Sequence, residues 1–377
     1  MTHLLHHFIS QGYSIALWRL PNSETLHWIA DLQIPLQTQK PIIEQEAVGF
    51  WISPFWNEHL ENTYFIRAEW HAVCNNQVWH LPTNTTMDTD RQASANIQQY
   101  FLPTPAITYT TQNEHEALVQ AGIEAIEKGE MRKLVLSRAK SIAYPAGFDI
   151  FTTFEKLCAT YPTAFCYFFH LPAVGTWMGA TPETLIAIEE NQTVFRTVAL
   201  AGTQAYKGQA VRNALWSQKE IEEQAIVSRY IINCFKKIRL REFEEDGPKT
   251  VIAGHLMHLQ TNFWVNMQGQ GEEEYFPQLG SKMLELLHPT SAVCGMPKPE
   301  SQAFILAHEG YDRQFYSGFL GTSNVEHNSH LFVNLRCMQL HEASLTLYAG
   351  GGITIDSVPE HEWEETALKM QIMQRVI

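Results

Sequence analysis

The strongest constraint on this chain lies in its last third. A strand-like run, SLTLYAG, leads into AGGGI at residues 349–353, and PEHEWEETALK follows at 359–369. Three consecutive glycines can adopt positive φ and let a ligand approach the backbone, so the stretch reads as a glycine turn ahead of a helix. On that helix Glu362, Glu365 and Lys369 fall at i, i+3 and i+7, which stacks them on one face. Two carboxylates and an ammonium beside a glycine cradle could hold a divalent metal and an anionic substrate. Glu365 and Lys369 could equally form an ordinary solvated i, i+4 ion pair, worth about 0.3–0.5 kcal/mol.

The upstream segments set the fold class. KLVLSRAK (133–140) alternates as a strand, with Leu134 and Leu136 on one face and Lys133, Val135 and Ser137 on the other. Asn113 with Glu116 resembles a capping box opening a helix that runs to Lys128, and Gly129 supplies its stop. Ser217 with Glu220 caps a long helix running to about Arg239. On it Glu223 shares a stripe with Val227, Tyr230 and Cys234, where an apolar residue is the rule. A buried acid there needs a cation, a proton or a metal. HLFVNLRCMQL and SLTLYAG are strand runs before the final helix. Strands and helices mix without regular βαβ alternation, which favours α+β over a doubly wound sheet. The first 110 residues carry tryptophan-rich apolar runs, SIALWRL and GFWISPFW, which read as strands joined by loops. FLPTPAITYTTQ (101–112) reads as a connector. The division is thus a strand-rich region at 1–110, packed on or part of the same fold, and a catalytic domain at 111–377.

Composition narrows the partners. With 26 basic and 40 acidic residues, the net charge is −14, which argues against nucleic acid. No apolar run is long enough to span a bilayer, and MTHLLHHFISQ lacks the basic and apolar regions of a signal peptide. The expectation is a cytoplasmic protein with no membrane partner. Six cysteines are scattered without metal spacing and read as small buried hydrophobes. HLLHH at 3–7 reads as a flexible terminus.

Several single residues are suggestive. Lys133 opens an apolar strand and could be a desolvated base, or a lysine at a strand edge. Glu183, in GATPETL, could be an acid of raised pKa, or a plain turn acid. Gly202 and Thr203, in ALAGT, could donate hydrogen bonds to an oxyanion. HPTSAVCGMP (288–297) could line a pocket. Arg336 sits within an apolar strand run, and a buried guanidinium there should pair with a carboxylate.

In order, KLVLSR, GATPE, LAGT, KEIEE, HPTSAVCGMP, DRQFYSGFLG, NLRC, YAGGGI and EWEETALK resemble the chorismate-utilising enzymes over roughly 113–377. That resemblance implies two antiparallel sheets packed as a sandwich-like core with helices outside. It implies chorismate as substrate and Mg²⁺ as cofactor, with Glu223 and Glu365 as principal ligands and Glu220 and Glu362 in support. Gly202, Thr203 and Gly350 would bind around a substrate carboxylate, with Arg336 and Lys369 as its charge partners. Lys133 aligns with the base that activates water, and Glu183 with the general acid. Lys133, together with Ala292 and Val293 in the HPTSAV phrase, resembles the isochorismate synthases within the family. Anthranilate, aminodeoxychorismate and salicylate types usually carry Thr at the position of Ala292. The implied chemistry uses water, needs no obligate glutamine amidotransferase, and feeds menaquinone or siderophore synthesis, with menaquinone favoured. A salicylate synthase or a non-catalytic paralogue is the alternative. A monomer is the default. Gln224 stands where the family often has histidine, which bears on metal affinity if that histidine tunes the metal carboxylate.

Overall fold

The computed structural model describes residues 1–34, 36–82, 97–105, 110–208, 210–253, 256–268, 276 and 278–377, without the side chains of residues 203, 205, 219, 253 and 256. Two antiparallel sheets form the core, so the class is α+β. The first sheet runs in the order Gly295–Met296, Lys133–Ala143, Ser344–Ile353, Cys337–Leu340, Gly175–Thr181, Phe165–Leu171, Ser14–Arg19, Leu26–Asp31, Trp70–Asn75, Val78–His80. The second runs Glu244–Ala253, Leu256–Asn266, Val194–Ala205, Thr184–Glu189, Asn328–Val333, Phe319–Val325, Gly49–Ser53, Tyr64–Arg67.

Alternating side chains explain how the sheets join. Trp18, Phe165, Tyr167, Phe169 and Trp177 of the first sheet meet Phe50, Leu320 and Phe332 of the second in one buried layer. Phe165 and Phe332 stack with centroids 4.1 Å apart. Each large buried side chain of this kind contributes about 1.5–3 kcal/mol. The opposite faces take helices. Ile150–Thr160 and the end of Pro359–Gln374 cover the first sheet, and Gln218–Lys237 and Leu279–Leu287 cover the second. The N-terminal strands belong to both sheets: Ser14–Arg19 pairs with Phe165–Leu171, and Gly49–Ser53 with Phe319–Val325.

Three local expectations change. HLLHH is not a loose end: Thr2–Ser10 is a helix whose Leu5, Phe8 and Ile9 are buried. The capping box of the next helix is Thr111 with Glu114, not Asn113 with Glu116, and the helix spans Gln112–Glu127. Thr111 offers a hydroxyl to the Glu114 N–H while the Glu114 carboxylate accepts from the Thr111 N–H, which satisfies two end donors at once. The glycine triplet is not a turn. Gly350, Gly351 and Gly352 lie inside the strand Ser344–Ile353, paired with Ser137, Leu136 and Val135, and none has positive φ. Glycine is needed there for space, as the site shows. Residues 106–109 of the expected connector lie outside the described residues.

The chain passes between the sheets at two adjacent points. Pro182 and Glu183 join Gly175–Thr181 of the first sheet to Thr184–Glu189 of the second. Residues 334–336 make the return from Asn328–Val333 to Cys337–Leu340. The two crossings are bonded to each other: Val333 N–H donates to Glu183 O at 2.9 Å and Ala180 N–H to Arg336 O at 3.0 Å.

Candidate active site

A cleft of about 220 Å³, room for one small molecule, opens where these crossings meet the glycine-bearing strand. Lys133, Glu183, Gly202, Glu220, Glu223, Ala292, Val293, Arg336, Gly350, Glu365 and Lys369 all line it. Glu362 does not, and Thr203's side chain lies outside the described residues.

The strand alternation predicted at 133–137 brings Lys133 and Val135 to the cleft, while Leu134 and Leu136 pack under Gln112–Glu127. Lys133 is buried. A Cβ at Gly352 would stand 3.1 Å from Lys133 Cε and 3.4 Å from Glu223 Oε1. Ammonium stem and carboxylate therefore share the space that the missing side chain leaves. A Cβ at Gly351 would stand 2.8 Å from Glu362 Oε2 and 3.9 Å from Glu365 Oε1.

The acids fall into two groups. Glu223 and Glu365 approach neighbouring glycines from two different helices. Glu220 is partly committed, because its Oε2 accepts from the Ser217 N–H at 2.7 Å in the predicted capping box. Glu362 is buried behind Gly351, where its Oε1 accepts from Ser357 Oγ at 2.8 Å. The ordinary ion pair also exists: Lys369 Nζ lies 2.5 Å from Glu365 Oε1 and donates to Gly350 O at 2.8 Å. Gly350's carbonyl is thus engaged by protein. Mg²⁺ commonly uses one or two carboxylates and takes its remaining oxygens from water and substrate. Glu223 and Glu365, which line the same cleft, suit that mode. No cluster of three or more acidic, histidine or cysteine ligands exists among the described residues.

Arg336 departs from expectation. It lies in the bend between strands, with φ +50°, rather than within one. Its Nη1 is buried without a hydrogen-bond partner among the described residues, although the charges of Glu365 and Glu183 act on it. Burial lowers its pKa, only partly offset by Tyr316, Glu365 and Glu183. A buried N–H without an acceptor costs about 1–3 kcal/mol, a cost that an anion placed there would relieve. Burial also pushes Glu183 up to about 7, against the opposing pull of Arg336, Lys133 and Lys369. Glu183 is therefore an acid that can hold its proton near neutrality.

Sequence reading missed His258, Tyr316 and Tyr348, which also line the cleft. His258 is lowered to about 4 by burial and by Arg336, so it is neutral, and its Nδ1 donates to Gly202 O at 3.0 Å. Gly202, at φ +67°, forms the bulge that turns this carbonyl. Tyr348 stacks between Trp177 and Tyr316. A tyrosine among apolar neighbours gives no local signal of a pocket. Gln224 points to the sheet, donating to Ala199 O at 3.1 Å and Thr261 Oγ1 at 2.9 Å.

A fold of two sheets with a mixed-charge cleft at their crossings defines an enzyme that binds a small anion. The chain belongs to the chorismate binding enzyme family, whose model matches residues 50–377. It is 28% identical to the isochorismate synthase EntC of Escherichia coli over 273 residues, covering 70% of this chain and 67% of that one. It is 31% identical to the salicylate biosynthesis isochorismate synthase of Pseudomonas aeruginosa over 274 residues, covering 70% and 54%. Its fold is similar to that of MenF, the menaquinone-specific isochorismate synthase from Escherichia coli, with a TM-score of 0.75 at 19% identity over 99% of this chain and 90% of that one. These relatives are isomerases. No described helix is long and apolar enough to cross a membrane.

Proposed function

We propose that this protein is an isochorismate synthase, converting chorismate reversibly to isochorismate. The observation that carries the reading is the meeting of buried Lys133, the raised-pKa Glu183 and Arg336, whose Nη1 has no partner among the described residues, in one small cleft. Lys133 takes a proton from water as the water oxygen bonds to ring C2. The diene electrons shift, the C4–O bond breaks, and Glu183 protonates the departing oxygen, which leaves as water. Each proton transfer is worth about 10²–10⁴ in rate. Arg336 receives a substrate carboxylate, and the neutral His258 keeps Gly202 in its bulge. Glu223 and Glu365 would hold Mg²⁺, with Glu220 beside them; bound there, the ion would neutralise carboxylate charge and orient the substrate. Ala292 leaves an apolar wall without a hydroxyl beside the ring.

In this reading residues 111–377 carry the chemistry, and the first 110 residues complete both sheets. The protein acts as a cytoplasmic monomer without a glutamine amidotransferase, and its product feeds menaquinone synthesis, a siderophore being the other fate. Chromatography after incubation with chorismate and Mg²⁺, with a coupled pyruvate assay, tests it. Isochorismate with little pyruvate is expected, and loss of turnover in EDTA with recovery on added Mg²⁺. Stoichiometric pyruvate and salicylate would make it a salicylate synthase; no conversion would overturn the reading.

A further inference from the structure

The strand that carries Lys133 has a short partner on its outer side. Pairing with Gly295–Met296 covers only Lys133 and Leu134, and the Val135 N–H donates to Cys294 O at 3.0 Å. Beyond that point no strand of the described residues follows at once, and the next outward-facing backbone groups are Val135 O and Ser137 N–H. Both are taken by one buried ion pair. Arg313 Nη2 donates to Val135 O at 2.8 Å, and the Ser137 N–H donates to Glu309 Oε1 at 2.7 Å. Glu309 and Arg313 are themselves joined twice, Nε to Oε2 and Nη2 to Oε1, each at 2.6 Å, with side chains 1% and 2% exposed. The same guanidinium donates through Nη1 to Val293 O at 2.9 Å. Ser137 Oγ adds a bond to Glu309 Oε1 at 2.8 Å.

We infer that Glu309 and Arg313 are positioning residues: together they take the place of a neighbouring strand beyond Val135 and fix the Lys133 strand and the adjoining Ala292–Val293 wall against each other beside the cleft. The inference rests on Lys133 and Ala292 acting as proposed above. Neither Glu309 nor Arg313 lines the cleft, so they act through the backbone they hold. The planar guanidinium is suited to this because its nitrogens reach two carbonyls and a carboxylate at once, which an ammonium cannot do with the same geometry.

Arg313→Lys keeps the charge opposite Glu309 and gives up the fork. Ser137→Ala removes one bond to Glu309 and one to Tyr311 and leaves the backbone contacts, and it tests the same link should the lysine variant fail to fold. Wild type and both variants would be compared in kcat, KM for chorismate and the pH profile, per folded protein. The expected result is a fall in kcat of tenfold or more for Arg313→Lys and of about two- to fivefold for Ser137→Ala. KM should stay within threefold and the acidic limb of the pH profile should move in Arg313→Lys. Unchanged kcat per folded molecule in the variants that fold, or a loss carried by KM alone, would show the pair to be merely structural and overturn the inference. Absence of turnover in the wild type would instead strike the proposed function, which keeps the two failures apart.

Discussion

Two desolvated arginines, Arg336 in the cleft and Arg313 behind its wall, have opposite circumstances. Burial would lower Arg313, but the Glu309 carboxylate more than offsets it and holds the guanidinium above its usual value. Arg336 is also desolvated, yet its neighbouring tyrosine and carboxylates offset only part of the penalty, and it is lowered. Arg313 has acceptors on Nε, Nη1 and Nη2; Arg336 keeps a buried Nη1 with none among the described residues. The satisfied arginine belongs to a wall, and the other lines the cleft. The hydrogen bonds around Arg313 are complete by themselves, whereas Arg336 at the crossing carries a desolvation cost that a bound anion would relieve.

The sharpest way to break this contrast is to remove the reacting groups of the cleft. Lys133→Ala and Glu183→Gln should each lower turnover by about 10²–10⁴, with far-ultraviolet circular dichroism and Mg²⁺ binding near normal. Near wild-type turnover in Lys133→Ala would return that lysine to a structural role. Next come the arginines themselves. Arg313→Met leaves Glu309 buried and unpaired and should cost about 3–5 kcal/mol of stability in urea unfolding. Arg336→Met removes an unsatisfied group and should match or exceed wild-type stability, while raising KM for chorismate at least tenfold. Equal stability losses in the two variants would erase the distinction.

The pH dependence is a smaller effect, and its sign follows from the acid–base pair taken together. At low pH both members hold protons and the pair lacks a base. Raising the pH through about 7, where Glu183 sits, removes one proton and creates the state with one acid and one base. Because chorismate and isochorismate interconvert without net proton release, kcat/KM should rise through about 7 and level off in both directions. A stopped-flow profile falling through that range would contradict the assignment. The smallest effect concerns Ala292→Thr, which adds a hydroxyl beside the ring. Competing barriers that differ by about 1–3 kcal/mol can be reordered by one buried polar group, so this variant should disturb hydroxyl exchange and raise the pyruvate fraction.

What could be read from sequence was local. The face alternation at Lys133–Ser137, the Ser217–Glu220 capping box, the Gly129 stop and the buried free cysteines depend on neighbours a few residues apart, and they appear as expected. The glycine triplet was misjudged because the demand for glycine there is not conformational. At Gly352 it comes from Lys133 and Glu223, more than 100 residues away in the chain, whose side chains occupy the space a Cβ would need. The Glu309–Arg313 pair was invisible for the same reason: its bond to Ser137 spans 172 positions. Arg336 drew attention as a charge in an apolar run, but only the structure shows that it sits in the crossing between sheets.

Turnover in ¹⁸O-labelled water tests the central claim most directly. If water adds at C2 while the C4 hydroxyl leaves, isochorismate formed at early times carries one ¹⁸O atom from solvent, seen by mass spectrometry as a gain of two mass units. Unlabelled isochorismate would mean that the original hydroxyl migrates within the substrate, and the roles given to Lys133 and Glu183 would fall.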